Sequence, residues 1–260
     1  MNREPNNRSL TDRVILITGA GRGIGAACAR ALYAAGARIA LVSRTEADLI
    51  DLVEELGADN DRVAVLPADV ADENAVEATF DRAERQLGPL SVLVNNAGIP
   101  TRRPFEVADY PIDDYDRITG VNLRGAFLCA RAALSRMRER QAGTIVNIGS
   151  ISGIRAAPDV LPYSISKFGM EALSQTILAE TTKYGIKTHL VAPGVTNSSI
   201  WDRKEVPLPA DVRARMLEPA DVAEVVLFLL QLPHRVRIDR VVLTPNVFPM
   251  KLWDYPLLDS

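Results

Sequence analysis

Val14-Ile15-Leu16-Ile17-Thr18-Gly19-Ala20-Gly21-Arg22-Gly23-Ile24-Gly25 is the stretch on which the fold turns. Its first half is a short unbroken run of β-branched and aliphatic residues, the pattern of a strand covered on both faces. Its second half is glycine-rich and leads straight into an Ala-rich segment of helical character, Ile24–Ala35. A glycine-rich turn between strand and helix lets backbone N–H groups approach a pyrophosphate, with the positive end of the helix dipole behind them. The glycine spacing is not the general G-x-G-x-x-G dinucleotide fingerprint, so the placement between strand and helix carries the reading.

Outward from this turn, short apolar runs alternate with longer amphipathic ones. Val14–Ile17, Arg38–Val42, Arg62–Pro67, Val92–Val94, Thr144–Ile148, Lys187–Val191 and Arg240–Leu243 read as strands. Ile24–Ala35, Ala47–Leu56, Asn74–Leu87, Ala126–Arg138, Lys167–Thr182 and Ala220–Leu230 have helical spacing. Strands joined by helix-sized crossovers predict an α/β fold: a single-domain, Rossmann-like, doubly wound, seven-stranded parallel sheet with helices on both faces. Met1–Thr11 reads as a flexible tail, residues 12–245 as the dinucleotide-binding and catalytic domain, and residues 246–260 as an apolar C-terminal tail. The irregular Thr196–Leu217, with Trp201, Pro207 and Pro209, is long for a connection and reads as a lid or binding loop.

Composition narrows the classes. The chain is 47% hydrophobic and 24% charged with a net charge of −3, the balance of a globular domain without the basic footprint of a nucleic-acid binder. No apolar stretch follows the polar start, and the longest apolar run, Val225–Leu230, is far too short to span a bilayer. Cys28 and Cys129 are far apart and fit small buried hydrophobes in a reducing compartment. The expectation is a cytoplasmic protein with neither a membrane nor a nucleic-acid partner, and no metal.

The second strand ends in Val42-Ser43-Arg44, where an NAD-selective site usually carries an acid for the ribose 2′-hydroxyl. Here the first acid is Glu46, while Arg44 and, in the glycine turn, Arg22 are positioned to grip a 2′-phosphate. NADP(H) is therefore expected over NAD(H); the alternative is two ordinary surface arginines.

Tyr163 and Lys167 stand four residues apart at a predicted helix start, so they share a face. An ammonium beside a phenol favours the phenolate and makes the tyrosine a proton carrier near neutral pH. Such a pair is common by chance and gains weight from its company. Ser150 ends the fifth strand, Asn95-Asn96-Ala97-Gly98 the fourth, Asp69-Val70 follows the third, and Asn122 lies in Val121-Asn122-Leu123-Arg124-Gly125. Singly, each has a plain role as a turn or cap residue.

Together these residues resemble the short-chain dehydrogenase/reductase family. Its T-G-x-x-x-G-x-G is met by Thr18, Gly19, Gly23 and Gly25, its N-N-A-G by Asn95–Gly98, its Asn–Ser–Tyr–Lys tetrad by Asn122, Ser150, Tyr163 and Lys167, and its P-G by Pro193-Gly194. The resemblance runs over roughly residues 12–245. It implies that Tyr163 is the acid in reduction and base in oxidation, that Lys167 lowers the tyrosine pKa and holds the nicotinamide ribose, that Ser150 binds the substrate oxygen, and that Asn122 holds a relay water. For the cofactor it implies the turn residues Thr18, Gly19, Gly21, Arg22, Gly23, Ile24 and Gly25, with Ser43 and Arg44 at the ribose and Asp69 and Val70 at the adenine. Asn95, Ala97, Gly98, Val121, Pro193, Gly194, Thr196 and Ser198 join them, besides Tyr163 and Lys167.

Where many members carry D-G-G at the seventh strand, this chain reads Arg237-Ile238-Asp239-Arg240-Val241-Val242-Leu243-Thr244-Pro245, with Leu232-Pro233 upstream. That ending looks like 3-hydroxy acid and serine dehydrogenases more than 3-oxoacyl-carrier-protein reductases. The expected reaction is hydride transfer between nicotinamide and a small carbonyl or secondary alcohol, with a 3-hydroxy acid as one candidate; 3-oxoacyl thioester reduction and a non-catalytic dinucleotide sensor or scaffold are the alternatives. Arg103, Arg155 and Trp201 are the substrate-contact candidates. The resemblance implies a homodimer or homotetramer, and the tail, with Phe248, Met250, Leu252, Trp253, Tyr255 and Leu257, is expected at a subunit interface.

Overall fold

β1 (Val14–Thr18) is buried along its whole length, and its residues alternate between two cores. Ile15 and Ile17 pack into one, Val14 and Leu16 into the other, so a strand with no polar face is what a two-sided sheet requires. The structure is a computed structural model; it describes residues 9–246 except 60, 104, 157, 159 and 199–208. In chain order the remaining strands are β2 (Arg38–Ser43), β3 (Val63–Pro67), β4 (Val92–Asn95), β5 (Gly143–Ile148), β6 (Ile186–Pro193) and β7 (Arg240–Leu243). All pair in parallel, in the order β3-β2-β1-β4-β5-β6-β7. The expected doubly wound sheet is thus present with every predicted strand.

The helices are α1 (Gly23–Ala34), α2 (Glu46–Leu56), α3 (Glu73–Leu87), α4 (Ile112–Thr119), α5 (Ala126–Arg140), α6 (Leu161–Thr181), α7 (Ala210–Arg213) and α8 (Pro219–Leu230). Cys28 and Leu32 of α1, Leu49 of α2 and Val226 of α8 close one face of the sheet. Phe80 of α3, Met137 of α5 and Ile177 of α6 close the other. Cys28 and Cys129 are free thiols, buried as expected.

The structure differs from the sequence reading in three places. The helix expected from Ala126 is preceded by α4 and a wide π-type turn over Gly120–Gly125, which holds Asn122. The tyrosine helix begins at Leu161, with Pro162 in its first turn, rather than near Lys167. Within the stretch read as a tail, Leu10 is buried and its N–H bonds the Ala35 carbonyl, so the ordered domain begins before residue 12. The long connection after β6 is pinched at its base, where Thr196 bridges Leu217 and the Asn197 N–H meets the Leu217 carbonyl at 2.7 Å. Trp201 and the apolar tail residues Phe248, Met250, Leu252, Trp253, Tyr255 and Leu257 lie outside the described residues.

Candidate active site

The strand order reverses between β1 and β4, and an open-sided cleft lies over their carboxyl ends, where ligands bind in sheets of this type. The glycine turn forms one wall. Gly19 has φ of +66°, and a β-carbon there would stand 2.9 Å from the Ala97 Cα, so only glycine fits. Thr18 Oγ1 accepts the Asn96 and Ala97 N–H groups at 2.9 and 3.0 Å. Asn96 Nδ2 answers by donating to the Thr18 and Gly19 carbonyls at 2.9 and 3.2 Å. The two motifs at the ends of β1 and β4 are therefore one hydrogen-bonded unit. Arg22 caps α1 in an extended conformation without a side-chain cap, and the first turn contains no acid, which leaves N–H groups for an anion.

Gly19, Gly21, Arg22, Gly23 and Ile24 line the cleft, as do Ser43, Arg44, Asp69, Val70, Ala97, Gly98, Val121, Tyr163, Lys167 and Ser198. Thr18, Gly25 and Asn95 stand behind its wall. Thr18 ties β1 to β4, Gly25 is pressed against the Gly19 carbonyl, and Asn95 Nδ2 donates to the Ala126 carbonyl and Asn147 Oδ1. Pro193 ends β6 and Gly194 and Thr196 follow it; none of the three lines the cleft, and the Gly194 N–H is bonded to the Leu243 carbonyl. Arg103 and Arg155 are exposed and do not line it; the Arg103 guanidinium lies 5.9 Å from the Phe105 ring centre. Asn96, Ala68, Ile99, Ile148 and Gly149 line the cleft without having been singled out. For Asn96 the N-N-A-G motif was the available signal; the aliphatic residues gave none.

Of the four tetrad residues, Tyr163 and Lys167 line the cleft, while Ser150 and Asn122 are not among its lining residues. Asn122 is fully buried. Its Oδ1 accepts the Ile99 N–H at 2.8 Å, and its Nδ2 donates to the Ile99 carbonyl at 2.9 Å and to Ser166 Oγ at 3.3 Å. The amide thus clamps the loop after β4 to α6. Ser150 Oγ accepts the Ser152 N–H at 3.1 Å and is hydrogen-bonded to the half-buried Tyr163 phenol. Lys167, one turn along α6, is buried, with Nζ 5.7 Å from the Tyr163 ring centre and donating to the Ile148 carbonyl at 3.0 Å.

Electrostatics depart from the sequence expectation of a lowered phenol. Burial raises the Tyr163 pKa above 10, and the hydrogen bond with Ser150 only partly offsets it. Burial also pushes Lys167 down to about 8. Desolvation is the cause for Lys167, whose one hydrogen-bond partner among the described residues is the neutral Ile148 carbonyl.

Among the described residues, no group of three or more His, Cys, Asp or Glu side chains is arranged to hold a metal, and no helix is long and apolar enough to cross a membrane. The short chain dehydrogenase family model matches residues 13–206. An uncharacterized oxidoreductase of Staphylococcus aureus (strain USA300) is 33% identical over 236 residues, 91% of this chain and 98% of the relative. A 3-ketoacyl-(acyl-carrier-protein) reductase from Brucella melitensis, solved with NADH, superposes with a TM-score of 0.83 at 26% identity, covering 92% of this chain and 99% of that one. An alcohol dehydrogenase from the archaeon Thermococcus sibiricus, solved with 5-hydroxy-NADP, superposes with a TM-score of 0.79 at 27% identity, covering 90% and 97%. The chain belongs to the short chain dehydrogenase family. It is an oxidoreductase whose fold binds a nicotinamide dinucleotide and whose substrates are small molecules.

Proposed function

We propose that this chain is an NADP(H)-dependent oxidoreductase that interconverts a small carbonyl and its secondary alcohol, a 3-hydroxy acid being one candidate. The observation that carries the reading is the Tyr163 phenol hydrogen-bonded to Ser150, at the inner end of a cleft that also contains Lys167. The cleft fits the dinucleotide on its own chemistry: a glycine wall with no room for side chains, an uncapped helix N-terminus, and guanidiniums at the rim. Arg22 and Arg44 are exposed and neither is in an ion pair among the described residues, which supports a 2′-phosphate as their ligand.

When bound, the nicotinamide supplies or accepts the hydride. Ser150 and Tyr163 hold the substrate oxygen between two hydroxyls. The raised pKa keeps Tyr163 protonated at neutral pH, so in reduction its O–H bond breaks as a bond forms from the proton to the developing alkoxide. Lys167, neutral in part near pH 8, takes up its proton more strongly once a phenolate stands nearby, and so stabilises that charge. Asn122 acts as a positioning residue, because its amide is committed to Ile99 and Ser166. Asp69 and Val70 are assigned to the adenine and Ser198 to the nicotinamide amide; all three line the cleft.

A homo-oligomer in a cytoplasmic compartment completes the reading. Phe127 of α5 and Ile165 and Phe168 of α6 are large apolar side chains left exposed on the single chain, which supports association through these helices. The test is an absorbance screen with NADPH and NADP⁺ across aldehydes, ketones, hydroxy acids and acyl thioesters. The reading expects turnover with a small ketone, aldehyde or hydroxy acid; activity confined to acyl thioesters would overturn the substrate assignment.

A further inference from the structure

Asp48, in the first turn of α2, leans against the glycine turn. A β-carbon on Gly21 would lie 2.8 Å from the Asp48 Cβ, 3.3 Å from Ser43 Oγ and 3.4 Å from Asp48 Oδ2. Gly21, Ser43 and Asp48 therefore form one contact cluster, and two of them, Gly21 and Ser43, line the cleft beside Arg22 and Arg44. An acid in a first helical turn ordinarily serves the helix dipole or reaches back to the cap. Asp48 makes no such cap: the Thr45 N–H bonds Ser43 Oγ at 3.3 Å, and α2 has no capping box. The half-buried carboxylate has no hydrogen bond or ion pair among the described residues.

We propose that Asp48 is a specificity-determining residue that weakens the preference for a 2′-phosphorylated dinucleotide over an unphosphorylated one. The inference rests on the dinucleotide reading of the cleft. The cleft is then lined by two guanidiniums, with one carboxylate packed behind Gly21 and Ser43. From that position the carboxylate repels the dianionic 2′-phosphate that Arg22 and Arg44 attract more than it affects an uncharged 2′-hydroxyl. Charge alone is the lever, so the effect shrinks as salt screens it.

The test measures dissociation constants of NADP⁺ and NAD⁺ for the full chain by titration calorimetry, at low and high ionic strength, for the unaltered protein, Asp48→Asn and Asp48→Ser. The expected result is a rise of about tenfold in the NADP⁺ over NAD⁺ affinity ratio in both variants at low salt, falling toward the unaltered ratio at high salt. A change below about threefold in both variants, with both nucleotides still bound, overturns the role of Asp48 and leaves the dinucleotide reading standing. A salt-independent change overturns it too, because packing rather than charge would then be responsible. If the unaltered chain binds neither nucleotide, the dinucleotide reading fails and this inference with it.

Discussion

Replacing Lys167 by methionine should make the cofactor-free protein more stable at neutral pH while abolishing its use as a catalyst. The lysine is 6% exposed, and burial lowers its pKa from 10.5 to about 8. The folded state binds this proton more weakly than the unfolded state. The resulting penalty is fully present below pH 8 and is relieved as pH rises from about 8 toward 10.5. Its size at pH 7 is about 3 kcal/mol, at roughly 1.4 kcal/mol per factor of ten. Methionine is similar in length and neutral, but it leaves the Ile148 carbonyl without its 3.0 Å donor, which costs about 1 kcal/mol. The net expectation for Lys167→Met is a gain of about 2 kcal/mol at pH 7 that shrinks to about zero near pH 10. Urea unfolding at both pH values, with the slope m unchanged, measures it. Equal or lower stability of the variant at pH 7, or a difference independent of pH, would refute the reasoning that burial sets the lysine's charge.

Two further outcomes follow from the cleft. Arg44→Asp should reverse the preference from NADP(H) toward NAD(H), read as the ratio of kcat/KM values with the two cofactors; an unchanged ratio removes Arg44 from the phosphate site. Thr18→Val keeps the shape of the side chain but leaves the Asn96 and Ala97 N–H groups without their acceptor, so it should destabilise the chain by about 2–4 kcal/mol in urea unfolding. A loss below about 1 kcal/mol would mean that the β1–β4 unit is held by other contacts.

The sheet was legible because β1 has no polar face: Ile15 and Ile17 go to one core, Val14 and Leu16 to the other, and the glycine turn marks where it ends. The Ser150–Tyr163–Lys167 spacing was legible for a related reason, since a strand end and a helix face fix where those side chains can go. α4 was not, because it is only eight residues long and carries just Ile112, Tyr115 and Ile118 as apolar positions among charged ones; Asp114 is buried with a 2.6 Å pair to Arg117. The wide turn at Gly120–Gly125 has no local code; it is clamped by Asn122 on Ile99, a contact between distant segments. Motif spacing also could not separate residues that face the cleft from those that build it. Thr18 and Asn95 serve the wall, while Asn96 does both. Nor could it foresee that burial would raise the Tyr163 phenol and lower Lys167, against the expected direction for the phenol.

The most direct test of the central claim, that Tyr163 delivers the proton in a dinucleotide-dependent reduction, compares the unaltered chain with Tyr163→Phe on the best carbonyl from the screen, measuring NADPH affinity and turnover separately. Phenylalanine removes only the hydroxyl that meets Ser150, so NADPH affinity should stay within about threefold while kcat falls by about 10²–10⁴-fold. Turnover that survives the substitution at comparable rate, with the cofactor still bound, would contradict the account.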